Sequence, residues 1–137
     1  MHIAWAEQWL LEAFNKADLA ALERLYHPRV QFADVPLGVA ADGWPGLRDF
    51  FCAFLIPAAG QHRFLPDTYL GRARDGVVEW TWRGTLGDSD LFQLGVPCKG
   101  KRFEVKGNSV FRFDPDGLVI EERDYWDLAT VLRQIQI

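Results

Sequence analysis

The feature that most constrains this chain is a change of hydrophobic period near residue 60. Upstream of it, Ile3, Ala6, Trp9, Leu10, Ala13 and Phe14 recur at three-and-four spacing while Glu7 and Glu12 stay off the stripe, which predicts an amphipathic helix. Asp18 is placed to cap a second helix, in which Leu19, Leu22, Leu25 and Tyr26 share a face and His27-Pro28 ends the run. Residues 29–35 read as a short extended segment, with Asp34 on the side of Phe32, and residues 38–43 as a loop. Pro45 suits the first turn of a third helix, whose stripe is Leu47, Phe50, Phe51 and Phe54. Downstream the period becomes two. Residues 63–72, 77–85, 102–113 and 118–126 read as strands separated by turn-forming stretches, and Asp127 caps a last helix over 128–135. Helices first and antiparallel strands second spell an α+β domain, with three N-terminal helices covering one face of a curved antiparallel sheet. With no repeat or break in composition, residues 1–137 form one domain.

Charge and composition remove several classes of function. The net charge of −4 gives no general attraction to nucleic acid or to an acidic membrane surface, so neither is an expected partner. The longest uncharged run, residues 50–62, contains a proline and is too short to span a bilayer. No basic leader precedes the first apolar stretch, which Glu7 and Glu12 interrupt, and a cytoplasmic location is expected. Cys52 and Cys98 lack a C-x-x-C spacing, and His2, His27 and His62 are scattered, so no metal site is expected. The stretch 95–102 nearly matches a phosphate-binding loop, but Arg102 replaces the required hydroxyl and a strand follows; it reads as a hairpin loop.

Strand alternation locates the chemistry. Val78, Trp80 and Trp82 share a face opposite Glu79, Thr81 and Arg83, and Val105, Gly107, Ser109, Phe111 and Phe113 share one opposite Glu104, Lys106, Asn108 and Arg112. In the last strand, Glu122, Asp124 and Trp126 oppose Glu121, Arg123, Tyr125 and Asp127, so either choice turns acids inward. Trp126 favours the Asp124 face. Two environments are then open for Asp124. It either lies among apolar side chains with a raised pKa suited to acid/base chemistry, or caps a turn or pairs with Arg123, Arg63 or Arg74 at the sheet edge.

The order of motifs resembles the nuclear transport factor 2-like cone, and within it the SnoaL-like branch. The residues that carry the resemblance are Asn15-Lys16-Ala17-Asp18-Leu19 followed by Leu25-Tyr26-His27-Pro28, the segment 30–34, and the hairpin Pro97-Cys98-Lys99-Gly100-Lys101. They continue with Val110-Phe111-Arg112-Phe113 leading to Asp116-Gly117-Leu118, and end on Glu122-Arg123-Asp124-Tyr125-Trp126-Asp127-Leu128. The resemblance implies a cone-shaped roll and a kinship with polyketide cyclases, limonene epoxide hydrolase and ketosteroid isomerase, which use carboxylates in an apolar cone. By that likeness Asp124 matches an epoxide hydrolase aspartate, but that enzyme's Arg and second Asp fall on Trp80 and Trp82, and its Tyr and Asn on Phe32 and Asp34. Asp34 matches the isomerase base, whereas the oxyanion-hole tyrosine and acid fall on Leu10 and Ser109. A cyclase-type enzyme, which needs one placed acid/base and a shaped pocket, is the least contradicted.

Two readings follow. In the first, Asp124, with or without Asp34, moves a proton on a hydrophobic cyclic or carbonyl substrate held among Phe32, Trp80, Trp82, Phe111 and Trp126. Ser109 donates to the developing oxyanion, and no metal or organic cofactor takes part. In the second, the domain binds a ligand or dimerises without chemistry. A homodimer is expected through the outer sheet face at Thr81, Asn108, Val110 and Tyr125.

Overall fold

The computed structural model describes residues 2–136. Helix α1 (Ile3–Glu7) runs directly into a π-helical segment, Gln8–Phe14, and a five-residue helix α2 (Leu19–Glu23) follows. Asp18 caps α2 through its side chain, as expected. Strands β1 (Tyr26–Asp34) and β2 (Val39–Asp42) precede helix α3 (Trp44–Leu55), and a single 3-10 turn, Pro57–Ala59, leads into β3 (Gly60–Gly71). Strands β4 (Asp75–Leu86), β5 (Arg102–Phe113) and β6 (Val119–Trp126) complete the sheet, and α4 (Leu128–Ile135) closes the chain behind its Asp127 cap.

The sheet has six strands in the order β2–β1–β6–β5–β4–β3. The α+β class and the helix-covered curved sheet agree with the sequence reading. Within that class one neighbouring pair departs from the expected antiparallel pattern, since β1 lies parallel to β6. Register shifts in β1, β3 and β5 bend the sheet. Pro66, at the shift in β3, is tolerated because β3 is an edge strand.

Three local differences matter for the site. Tyr26 begins β1 and does not end α2, because α2 stops at Glu23 and the chain is already extended at Tyr26. The predicted loop at 38–43 contains β2, paired to β1. Ile3, read as part of the buried stripe, is 39% exposed, and Trp5 is buried in its stead. The π turn explains part of the packing of the first helix. Its i→i+5 turn, which holds more residues than an α turn, sets Trp9, Leu10 and Phe14 along one cavity wall. Asn15, just past that turn, accepts from the Phe64 amide at 2.9 Å and donates to the Phe64 carbonyl at 2.6 Å, which pins the helix end to β3.

Aromatic side chains fill the space between helices and sheet. Phe64 stacks on Trp82 at 5.2 Å, and Trp82 meets Trp126 edge-on at 5.3 Å. Gly107 faces Trp80 across the β4–β5 pair, and a Cβ there would collide with the indole. The missing side chain lets the ring lie flat on β5.

Candidate active site

Strand pairing brings Asp34 beside two acids of a strand far away in sequence, Glu122 and Asp124. Asp34 and Asp124 are register partners across the parallel β1–β6 pair, and Phe32 and Glu122 are the pair before them. Ser109 of β5 is the partner of Asp124 on its other side. Because alternate residues of a strand share a face, Glu122, Asp124 and Trp126 point together toward the helices. Asp34 is 5% exposed, Glu122 is 0% exposed and Asp124 is half-buried.

Each acid has a distinct set of donors. Trp126 Nε1 and the Leu37 amide both donate to Asp34, at 3.1 Å each. Tyr26 donates its hydroxyl to Glu122 Oε1 at 2.6 Å, and Trp9 Nε1 donates to the Tyr26 oxygen at 2.9 Å. Ser109 donates to Asp124 Oδ1 at 2.6 Å and accepts from Trp80 Nε1 at 2.9 Å. Two indole-to-hydroxyl chains thus end on two carboxyls of one strand. The second oxygen of Glu122, Oε2, is buried and meets no N–H or hydroxyl donor among the described residues. Only a proton kept on the neighbouring Asp124 satisfies it from within the site.

Positive charge is missing from this neighbourhood. Among the described residues the ion pairs involve exposed or half-exposed groups, and none includes Asp34, Glu122 or Asp124. Arg123 pairs with Glu121, Arg74 donates to the Phe113 carbonyl, and Arg63 is exposed. The edge-pairing alternative for Asp124 is therefore not what the chain adopts. Burial pushes the Asp124 carboxyl well above its ordinary range; the Glu122 charge and a shared hydrogen bond push it further, and the Ser109 hydroxyl opposes them. Burial also raises Glu122, against hydrogen bonds from Asp124 and Tyr26, and raises Asp34, against Trp126 and the Leu37 amide. Glu122 and Asp124 act as one coupled pair that keeps a proton where separate carboxyls would lose it.

The acids line a cavity of about 40 Å³. That is room for roughly three waters or a group of a few heavy atoms, well below the roughly 300 Å³ of a pocket that encloses a drug-sized ligand. Trp9, Phe14, Phe50, Phe51, Phe54, Phe64, Trp80, Trp82 and Trp126 supply nine aromatic walls, with Leu10 and Ser109 completing the lining. Beyond Phe50 and Phe54, which line both spaces, lies an open groove of about 380 Å³ bordered by Leu37, Leu91, Phe92 and Leu128. Among the described residues no group of three or more His, Cys, Asp and Glu is arranged to hold a metal ion, and no helix is long and apolar enough to cross a membrane.

This combination of fold and acid-lined cavity can be set beside known proteins. A SnoaL-like domain model matches residues 6–122. The chain belongs to the SnoaL-like family. Its fold is shared with a polyketide cyclase-like protein of Xanthomonas campestris pv. campestris, with a TM-score of 0.82 at 16% identity over 97% of this chain and 95% of that one. TsrD from Streptomyces laurentii superposes with a TM-score of 0.75 at 25% identity, covering 91% and 87% of the two chains. TerC, co-crystallised with polyporic acid, gives 0.70 at 18% identity over 90% of each chain. No curated protein sequence matches this one.

Within this SnoaL-like cone the expected site residues divide. Asp34, Trp80, Trp82, Ser109, Asp124 and Trp126 line one cavity. Phe32 and Phe111 do not. Phe32 packs on Phe50 and Phe51, and Phe111 lies farther down the same face under Trp5 and Trp9. Facing the helices is necessary for lining the cavity, but depth along the strand decides it. Ser109 also departs from its expected role, because its hydrogen is already committed to Asp124. His62 is held by the Ala59 carbonyl and accepts from Trp82 Nε1, behind the cavity wall. The sequence reading missed Glu122 and Tyr26. Alternation had already placed Glu122 on the Asp124 face, whereas Tyr26 was hidden by its helix-like spacing from Leu22.

Proposed function

We propose that this SnoaL-like protein is a cofactor-independent acid/base enzyme that moves a proton on a hydrophobic cyclic or carbonyl substrate, in the manner of a cyclase or isomerase. The observation that carries this reading is the Glu122–Asp124 carboxyl pair, coupled in an aromatic cavity that no cation lines. Such a pair holds one proton to higher pH than separate carboxyls do. Asp124 donates it to a substrate oxygen or, once ionised, takes one from a carbon next to a carbonyl. Ser109, backed by Trp80, fixes one oxygen of Asp124 and stabilises its ionised form. Asp34 is held by two N–H donors and acts as the second carboxylate of the site.

The cavity admits only the reacting end of such a substrate. The remainder would occupy the groove beyond Phe50 and Phe54 once those rings turn aside. A panel of cyclic ketones in deuterated water tests the proposal through loss of the α-proton signals by NMR. Exchange by the native protein and none by Asp124→Asn is the expected result; equal exchange by both defeats it.

The small cavity favours a second reading, a non-catalytic ligand-binding or dimerisation module of the same fold. Ligand binding with no exchange, by either protein, would establish that alternative. We further propose a homodimer through the outer sheet face, where Tyr125 is 38% exposed, and a cytoplasmic location. Sedimentation decides the first of these and cell fractionation the second.

A further inference from the structure

We propose that the acid-lined cavity receives a small organic cation, an alkylammonium group of about four or five heavy atoms, seated against Glu122 and Asp124 among Trp80, Trp82 and Trp126. The inference rests on the proton-transfer reading only in using the same carboxyl pair, and it names the chemical class that the pair selects.

Four observations converge on it. Glu122 Oε2 is fully buried, belongs to a cavity-lining side chain and has no N–H or hydroxyl donor among the described residues, so apart from the proton shared with Asp124 the site presents an unanswered acceptor. Three carboxyls and no Lys, Arg or His line the space among the described residues, so an anion meets only like charge. Nine aromatic rings form the walls, and the negative face of an aromatic ring attracts a cation and repels an anion. Volume supplies the fourth. About 40 Å³ suits a methylated ammonium head and is too small for a ring system.

Competing occupants fail on the same observations. A neutral apolar group leaves Glu122 Oε2 dependent on the single proton of Asp124, and once that proton is lost the buried acceptor is orphaned at a cost. A metal ion needs several oxygens converging on one point, which the described residues do not offer. An alkylammonium group needs only one or two acid contacts and satisfies the rest of its surface on the rings.

Binding is then linked to pH. The charged and titratable groups that face the pair are Asp34 and Tyr26 from β1; the Ser109 hydroxyl faces it from β5. The first helix, α3, β3 and β4 contribute only uncharged side chains to the lining, and His62 lies behind Trp82. A cation entering the site takes over the work of the proton that Glu122 and Asp124 share. Its affinity therefore rises with pH until that proton has been lost, by up to about tenfold per pH unit for one proton displaced.

The test is calorimetric titration of the intact protein with isopropylammonium chloride and with isopropyl alcohol, a neutral probe of the same shape that also carries a hydrogen-bond donor, at constant ionic strength and at about pH 6 and about pH 8. Expected are a preference for the cation of about tenfold or more, a rise in its affinity with pH, and a flat response for the alcohol. Glu122→Gln should lower the cation affinity about tenfold and leave the alcohol unchanged. The two-probe comparison on the native protein needs no variant to fold. Equal affinities, or a cation affinity independent of pH, would overturn the inference. Carbon-13 titration of the carboxyls in the same sample separates the two proposals. Raised carboxyl pKa values without a cation preference overturn this inference alone, and ordinary values overturn the proton-transfer reading with it.

Discussion

Tyr26 Oη and Glu122 Oε1 lie 2.6 Å apart and join the first strand of the sheet to the last across 96 positions of sequence. Both groups are buried, and the phenol in turn takes the hydrogen of Trp9 Nε1, so one side chain serves two others. Replacing Tyr26 by Phe removes the donor to Glu122 and the acceptor for Trp9 while keeping the ring between Trp44 and Phe51. The expected cost is about 1–3 kcal/mol in unfolding free energy for each buried partner left unpaired. The Glu122 carboxyl should also titrate higher, since the Tyr26 hydrogen bond holds it down. Urea denaturation with carboxyl NMR reads both quantities, and an unchanged Glu122 titration would refute the assignment.

Stability should fall as pH rises, the reverse of ordinary acid denaturation. Asp34, Glu122 and Asp124 all titrate higher in the folded protein than their ordinary values of 3.8, 4.5 and 3.8. Between those values and the raised ones the folded state binds more protons than the unfolded chain. The slope of unfolding free energy with pH is therefore negative, at most about 1.4 kcal/mol per pH unit for each proton retained. Exposed Asp90 and Asp127 are held low by N–H and hydroxyl donors and act in the opposite sense below 3.8, and His62, which burial lowers from 6.5, acts in the opposite sense up to that value, so the acids alone set the slope above it. Denaturation midpoints measured from about pH 6.5 to about pH 8 should decline. A rise over that range would show that the acids are not buried in the folded state.

Much of this site is legible from period-two alternation, which puts Trp80, Trp82, Ser109, Asp124 and Trp126 on one side of their strands. What alternation lacks is long-range pairing. The parallel contact that sets Asp34 beside Asp124 joins residues 90 positions apart, and no local signal records it. Tyr26 reads as helical because its spacing from Leu22 fits a helical stripe, although the five-residue α2 ends three residues before it. The π turn is equally silent in the sequence. Its widening lets adjacent Trp9 and Leu10 both reach the cavity. Phe111 shows the opposite error, being on the right face at the wrong depth.

Asp124→Asn should fold, gain about 1 kcal/mol at about pH 8 and lose proton transfer. The amide oxygen still accepts from Ser109, and the amide nitrogen can donate to Glu122 Oε2 without a titrating proton. Removing a carboxyl that resists ionisation also removes part of the negative stability slope. Thermal melts at both ends of the pH range, together with the exchange assay, check the trade. A variant that is less stable at every pH would mean that Asp124 serves packing and not chemistry.

Phe50 is the ring whose removal should change access with the least damage to the fold. It is half-buried, it packs on Phe32, Phe51 and Phe54, and it borders both the acid-lined cavity and the outer groove. Phe50→Ala should cost less than the roughly 3–5 kcal/mol of a fully buried phenylalanine and should join the two spaces. An apolar fluorophore of naphthalene size, excluded by the 40 Å³ cavity of the native protein, should then bind. Its binding should weaken when Phe92, on the far side of the groove, is enlarged to Trp. Native protein and Phe50→Ala taking up the fluorophore equally would mean that the ring is no partition.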